Sequence, residues 1–190
     1  MRAFALLSVL LLVVSGCDSD SGGNGTPVTA DILKVTVSNA PRADPNGDGW
    51  DGSNPLSNGP EVYFRLFDAD VDYQSDPGGD RLNPRDDNSV FATNSPQAWY
   101  EDVDLVDFPL VWNVDPAYTV RDLDDELYVT LFDYDSNADD PMAESEVFTM
   151  RDFAPGSVTN RAQTITLDGF DRNGNAIGEF DVRLTVQFFD

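Results

Sequence analysis

Apolar and polar residues alternate with period two through most of the chain. "ILKVTVS" places Leu33, Val35 and Val37 on one face, and "EVYFRLF" does the same with Val62, Phe64 and Leu66. "ELYVTLF" groups Leu127, Val129 and Leu131 against Tyr128, Thr130 and Phe132. "EFDVRLTVQF" sets Phe180, Val182, Leu184, Val186 and Phe188 against Asp181, Arg183, Thr185 and Gln187. Branched and aromatic residues at this period predict half-buried strands. Shorter candidates are "AWYEDVDL", "LVWNV", "VFTMRDF" and "QTITL", and Asn173-Gly174 predicts a tight turn before the last strand. No segment carries a sustained helical stripe, and 14 glycines and 12 prolines punctuate the intervals. About eight strands separated by turns predict an all-β fold, an antiparallel β-sandwich over residues 31–190. No internal repeat is visible.

The first 30 residues break this pattern. "MRAFALLSVLLLVVSGCDSD" has a basic start, an apolar run from Ala3 to Val14, and then Ser15-Gly16-Cys17. The run is too short to span a bilayer, which takes about 20 residues, and it suits a signal-peptide core. The ending "VSGC" resembles a bacterial lipobox. That resemblance implies cleavage after residue 16 and lipidation of Cys17, with diacylglycerol on its sulfur and an acyl chain such as palmitate on its amine. Cys17 is the only cysteine, so an internal disulfide is excluded. Residues 17–30, the lipidated cysteine and then a small, polar, glycine-rich run, predict a flexible tether. The expected product is a lipoprotein of the bacterial cell envelope, its domain facing the periplasm or the exterior. Asp18 is similar to an inner-membrane retention signal of enteric bacteria, which leaves inner or outer membrane open.

Charge narrows the partners. The chain has 35 acidic and 11 basic side chains and no histidine. Arg2 leaves with the signal, so the exported part has 10 basic side chains and a formal charge of −25. Nucleic acid is excluded as a partner, and docking of the domain on anionic lipid is disfavoured, because both need a positive surface. The same balance suits salt adaptation, in which a carboxylate-rich surface stays soluble. Only the clustering of the acids can be specific.

Two long loops, about 40–60 and 133–144, hold such clusters. In the first, Asp44-x-Asn46-x-Asp48-Gly49 matches the front half of a calcium loop, with side-chain oxygens at alternate positions and a glycine for the turn; Asp51 adds a further carboxylate. The twelfth position is Pro55 rather than glutamate, and no helix flanks the loop, which excludes an EF-hand. The alternative is a turn rich in Asp, Asn and Gly for backbone reasons. In the second, "LFDYDSNADD" carries Asp133, Asp135, Asp139 and Asp140 with nothing basic among them. Two unit charges ~4 Å apart at an effective dielectric of about 20 cost roughly 4 kcal/mol. Water and salt screen these groups in an open turn, or a cation gathers them. Oxygen donors without histidine or a free thiol favour calcium over zinc or copper.

"LYVTLFDYDSNADDPMAESEVFTM" resembles the later half of C2 domains: a strand, Asp-x-Asp, a short loop, another Asp, and a small residue opening the next strand. "FPLVWNV" is similar to that family's tryptophan-asparagine strand, "GPEVYFRLF" to the strand after its first calcium loop, and "QTITL" and "EFDVRLTVQFF" to its closing pair. The resemblance covers roughly residues 31–190. It implies an eight-stranded antiparallel sandwich binding calcium at one end, between loops joining strands two and three and strands six and seven. Asp133 and Asp135 match the paired aspartates, and Asp139 or Asp140 the later one. The family usually has an aspartate directly before "PYV"; this chain has Gly59 before Pro60-Glu61-Val62, so Asp48 and Asp51 would have to substitute. Many C2 domains dock on phospholipid with a lysine-rich strand, whereas Lys34 is the only lysine.

The expectation is thus an exported, lipid-anchored, calcium-binding interaction module with a protein or carbohydrate ligand. It is not an enzyme: histidine is absent, the one cysteine lies in the lipobox, and no carboxylate pair stands apart from the general acidity. Two alternatives remain. One is a carbohydrate-binding or adhesive module using exposed aromatics, with Trp50 the leading candidate, Trp99 undecided and Trp112 expected in the core. The other is a salt-adapted structural lipoprotein without metal.

Overall fold

A computed structural model describes residues 25–44, 46–50, 59–72, 75, 79–85, 98–135, 138–170 and 180–190. The signal peptide, Cys17, Asp51 and the Asn173-Gly174 turn lie outside these residues.

Two antiparallel sheets pack face to face. One has the order β4-β1-β10-β8, built from β1 (Thr29–Asn39), β4 (Leu110–Val120), β8 (Gln163–Leu167) and β10 (Asp181–Phe189). The other has the order β3-β2-β5-β6-β9, built from β2 (Val62–Asp68), β3 (Asp80–Leu82), β5 (Glu126–Asp133), β6 (Asp140–Ser145) and the two-residue β9 (Gly169–Phe170). A further two-residue strand, β7 (Phe148–Thr149), pairs with β5. The expected β-sandwich is the observed architecture.

Most of the alternating apolar positions meet between the sheets, but in β1 an irregularity between Ile32 and Lys34 turns Ile32 inward in place of the expected Leu33. Ile32, Val35 and Val37 of β1 face Val62, Phe64 and Leu66 of β2 and Leu127, Val129 and Leu131 of β5 in one core, with Trp112 fully buried among them. Trp112 meets Phe64 and Tyr100 edge-on, each at 5.2 Å between ring centroids. Such offset aromatic geometry adds about 0.5–1.5 kcal/mol beyond area burial.

β2 and β5 depart from the half-buried expectation, because their outer faces are covered as well. Tyr63, Phe67, Tyr128 and Phe132 form a second cluster, packed under Ala69, Val71, Trp99 and Tyr134. Tyr63 stacks on Phe132 at 5.5 Å and Phe67 on Tyr128 at 5.3 Å. The central strands of this sheet are therefore buried on both sides.

Three other expectations are corrected. "AWYEDVDL" forms no strand; only Tyr100 bridges to Val62 before Asp102 turns the chain at φ 55° into a 3₁₀ turn at Leu105–Asp107. In "VFTMRDF" the strand stops after two residues. Thr149 accepts from the Asp152 backbone N–H at 3.2 Å while the Asp152 carboxylate accepts from the Thr149 N–H, a reciprocal cap that starts the one-turn helix α1 (Met150–Phe153). The second loop, expected to reach 144, ends at 139. β6 begins at Asp140, and a register shift opposite Leu131/Phe132 lets Pro141 enter the sheet.

Candidate functional site

The two acidic loops rise from the same end of the sandwich. β2 starts where β5 finishes, with Val62 opposite Asp133. Tyr134 N–H donates to Glu61 O at 2.8 Å, and Glu61 N–H donates to Asp133 Oδ1 at 3.1 Å, so the feet of both loops are stitched together. The loops join β1 to β2 and β5 to β6, whereas the family resemblance implied strands two–three and six–seven.

The first loop closes on itself. Asp44 Oδ1 accepts from the Asn46 and Asp48 N–H groups at 2.9 and 2.8 Å, and Asn46 Nδ2 donates to Asp44 Oδ2 at 2.9 Å. Gly47 holds φ +88°, a conformation that suits glycine. The backbone bond from Asp48, followed by smaller contributions from Asn46 and Gly47, lowers the Asp44 pKa against an opposing desolvation. Both Asp44 oxygens thus serve the turn, which is the backbone alternative weighed for this motif. Asn46 and Asp48 stand exposed beside it.

The second loop divides its aspartates between the two faces of the sheet. Asp133 follows Leu131 on the core side and is fully buried. Asp139 turns to the outer face, where it accepts from the Tyr63 hydroxyl and pairs with Arg85 Nη1 at 3.2 Å and Arg65 Nη2 at 3.7 Å. Arg65 also lies over the Tyr63 and Phe132 rings, at 5.4 and 5.2 Å. Burial first, and then the Asp139 bond, pushes the Tyr63 hydroxyl pKa up. The nearby cations, Arg65 and Arg85, come from β2 and from just beyond β3, at least 54 residues away in the sequence, so the linear motif showed nothing basic.

Asp135, half-buried, lies near Asp140, which is exposed. Its pKa is raised by burial first, then by the Asp140 and Asp139 charges. Among the described residues no three histidine, cysteine, aspartate or glutamate side chains converge as a metal-holding group. The chemistry of the set, carboxylate oxygens crowded enough to repel, suits a hard cation.

Gly59 stands where the resemblance would have an aspartate, and the space around it leaves no room for one. A Cβ there would stand 2.3 Å from the Val103 carbonyl oxygen, so no side chain fits. Close by, a cleft of about 290 Å³ is walled by Trp50, Phe108, Leu105, Pro60 and Met142, with Arg42 also in its lining. Trp50 is pinned by its indole N–H, which donates to Pro41 O at 2.8 Å. It is packed partly against the core as well as lining the cleft. Nothing in the sequence pointed to this wall, because Val103, Asp104 and Leu105 fell in the candidate strand "AWYEDVDL".

No protein-family model matches the chain, and no curated protein does. Among solved structures it is similar to a C2 domain of plant Extended Synaptotagmin 1, with 9% identity, a TM-score of 0.43, and coverage of 86% of this chain and 98% of that one. It is also similar to a C2 domain protein from Ramazzottius varieornatus, with 15% identity, a TM-score of 0.35, and coverage of 87% and 92%. C2 domains are therefore structural neighbours. Such loose likenesses carry no argument about binding, and the sandwich architecture rests on the strand pairing itself.

Proposed function

We propose that this protein is an exported lipoprotein, anchored through Cys17, whose sandwich binds calcium at the β5–β6 loop and serves as a non-catalytic interaction module. The observation that carries the reading is the crowding of partly buried Asp135 by Asp140 and Asp139 in this loop, where burial and like charge both disfavour its ionisation. A cation would relieve that repulsion. Asp135 and Asp140 would hold it, with Asp133 at the foot of the same loop. Asp139 is committed to Tyr63, Arg65 and Arg85, and Asp44 to its own turn, so neither serves as a ligand in this reading. Calcium fits because it accepts six to eight oxygens in irregular geometry, and backbone carbonyls and water complete such shells.

The test is thermal unfolding of residues 18–190 in millimolar calcium against chelator, at one high sodium chloride concentration that screens the general acidity. A calcium-specific rise that magnesium does not reproduce, lost when Asp133→Asn and Asp135→Asn are combined, supports the site. An unchanged response in that double variant sinks the assignment, and no response in the unaltered protein makes the acids a salt-adapted surface.

A second reading, carbohydrate binding at the same end, is favoured by the placement of Trp50 in the cleft wall. Retention on polysaccharide resin that disappears in Trp50→Ala supports it.

A further inference from the structure

We infer that the acidic loop end points away from the membrane that holds the lipid; this rests on lipidation of Cys17 as read above. The inference comes from where the chain enters the sandwich. β1 is the first strand, and its first residue, Thr29, pairs with Phe189 at the opposite end of the sheet from the loops. The residues before it are fastened at that end too. Val28 N–H donates to Phe189 O at 2.8 Å, Val158 N–H to Gly25 O at 3.1 Å, and Arg151 Nη1 to Pro27 O at 3.1 Å. From Gly25 onward the chain is therefore part of the domain.

β1 then runs its 11 residues to Asn39, and the β1–β2 loop leaves from there. At about 3.3 Å per residue that is a rise of about 33 Å. Val62 and Tyr100 pair beside the same end, as do Val37 and Leu110. The Trp50 cleft, the 101–109 segment and the β5–β6 loop accordingly share it.

Between Cys17 and Gly25 lie eight residue steps, which reach at most about 29 Å when fully drawn out. Tip-first contact of the loop end with the anchoring bilayer would place Gly25 farther from that bilayer than the stretched tether reaches. The remaining way to bring the loops down is to lay the sandwich on its side. That pose presses a strongly acidic domain against anionic headgroups, which repel it. Tether length, strand direction and charge agree on one pose: tether end toward the bilayer, loop end away.

The experiment uses the full lipidated chain in vesicles of neutral and anionic phospholipid containing a headgroup-labelled energy acceptor. A donor dye is attached at Val106→Cys, at the loop end and 88% exposed, or at Thr159→Cys, exposed beside Val158 at the tether end. The expected result is at least severalfold more transfer from Thr159→Cys than from Val106→Cys, with and without calcium. Equal transfer, or a rise at Val106→Cys on adding calcium, overturns the inference. Flotation separates the two levels. If the unaltered chain fails to float with the vesicles, the lipid anchor falls and the orientation with it; if it floats and Cys17→Ser does not, the anchor stands and the transfer ratio alone decides.

Discussion

The β1–β2 turn and the β5–β6 loop contain the same residue type at similar spacing, yet their carboxylates are shifted in opposite directions. Asp44 ionises more readily than usual because backbone N–H groups of its own turn donate to it. Asp135 ionises less readily because it is partly buried and faces Asp140 and Asp139. A carboxylate supplied with N–H donors is stabilised as an anion, whereas one that faces other carboxylates is destabilised as one. Asp139 shows a third outcome, since two arginines distant in sequence already neutralise it. The density of aspartates along a chain therefore says less about metal binding than the identity of the groups each one meets.

The contrast can be tested from its strongest element downward. Arg65→Ala removes a buried cation packed on two aromatic rings and paired with Asp139; breaking a buried pair costs about 3 kcal/mol, to be read from urea unfolding. A loss under about 0.5 kcal/mol, the usual effect of a surface change, would mean that Arg85 alone holds Asp139. Next is calcium itself. At 100-fold over the dissociation constant it should add about 2.7 kcal/mol to the unaltered domain and nothing to the Asp133→Asn, Asp135→Asn double variant.

A smaller effect is expected from Asp135→Asn alone in chelator. The folded-state pKa of Asp135 lies above its ordinary value, so its carboxyl stabilises the fold fully below the unfolded pKa, and that contribution is lost as pH rises through the folded pKa. The amide should therefore make the domain more stable than wild type at neutral pH, by no more than about 1 kcal/mol, and the difference should vanish near pH 3. The opposite sign at neutral pH would show that Asp135 is stabilised as an anion. The least effect belongs to Asp44→Ala, a slight drop in Tm that is the same in calcium and in chelator. A calcium response reduced by Asp44→Ala would restore the first loop to the site.

Strand positions were legible where burial is one-sided. Leu127, Val129 and Leu131, or Val182, Leu184 and Val186, announce themselves because one face meets the core and the other does not. β6 was hidden in the expected loop because "PMAES" does not alternate and begins with a proline. The outer cluster of Tyr63, Phe67, Tyr128 and Phe132 was present as aromatic residues on the supposedly solvated face, but nothing local says that Trp99 and Tyr134 cover them. Of the candidate cation ligands, the β5–β6 aspartates were found as a group, while their separation onto two faces of the sheet was not foreseen. Asp133 faces the core at the end of β5, whereas Asp139, just before β6, reaches Tyr63, Arg65 and Arg85 on the outer face.

By itself, the sequence determined the period-two strands, the sandwich they build and the excess of negative charge, since alternation and composition are local properties that survive any arrangement of loops. Only the tertiary structure decided which carboxylates meet arginines, which meet backbone N–H groups and which face one another. It also decided that residues 25–28 and the acidic loops stand at opposite ends of β1. Electrostatic partners and directions in space come from residues tens of positions apart, brought within a few ångströms by the packing of two sheets, and no linear spacing encodes that proximity.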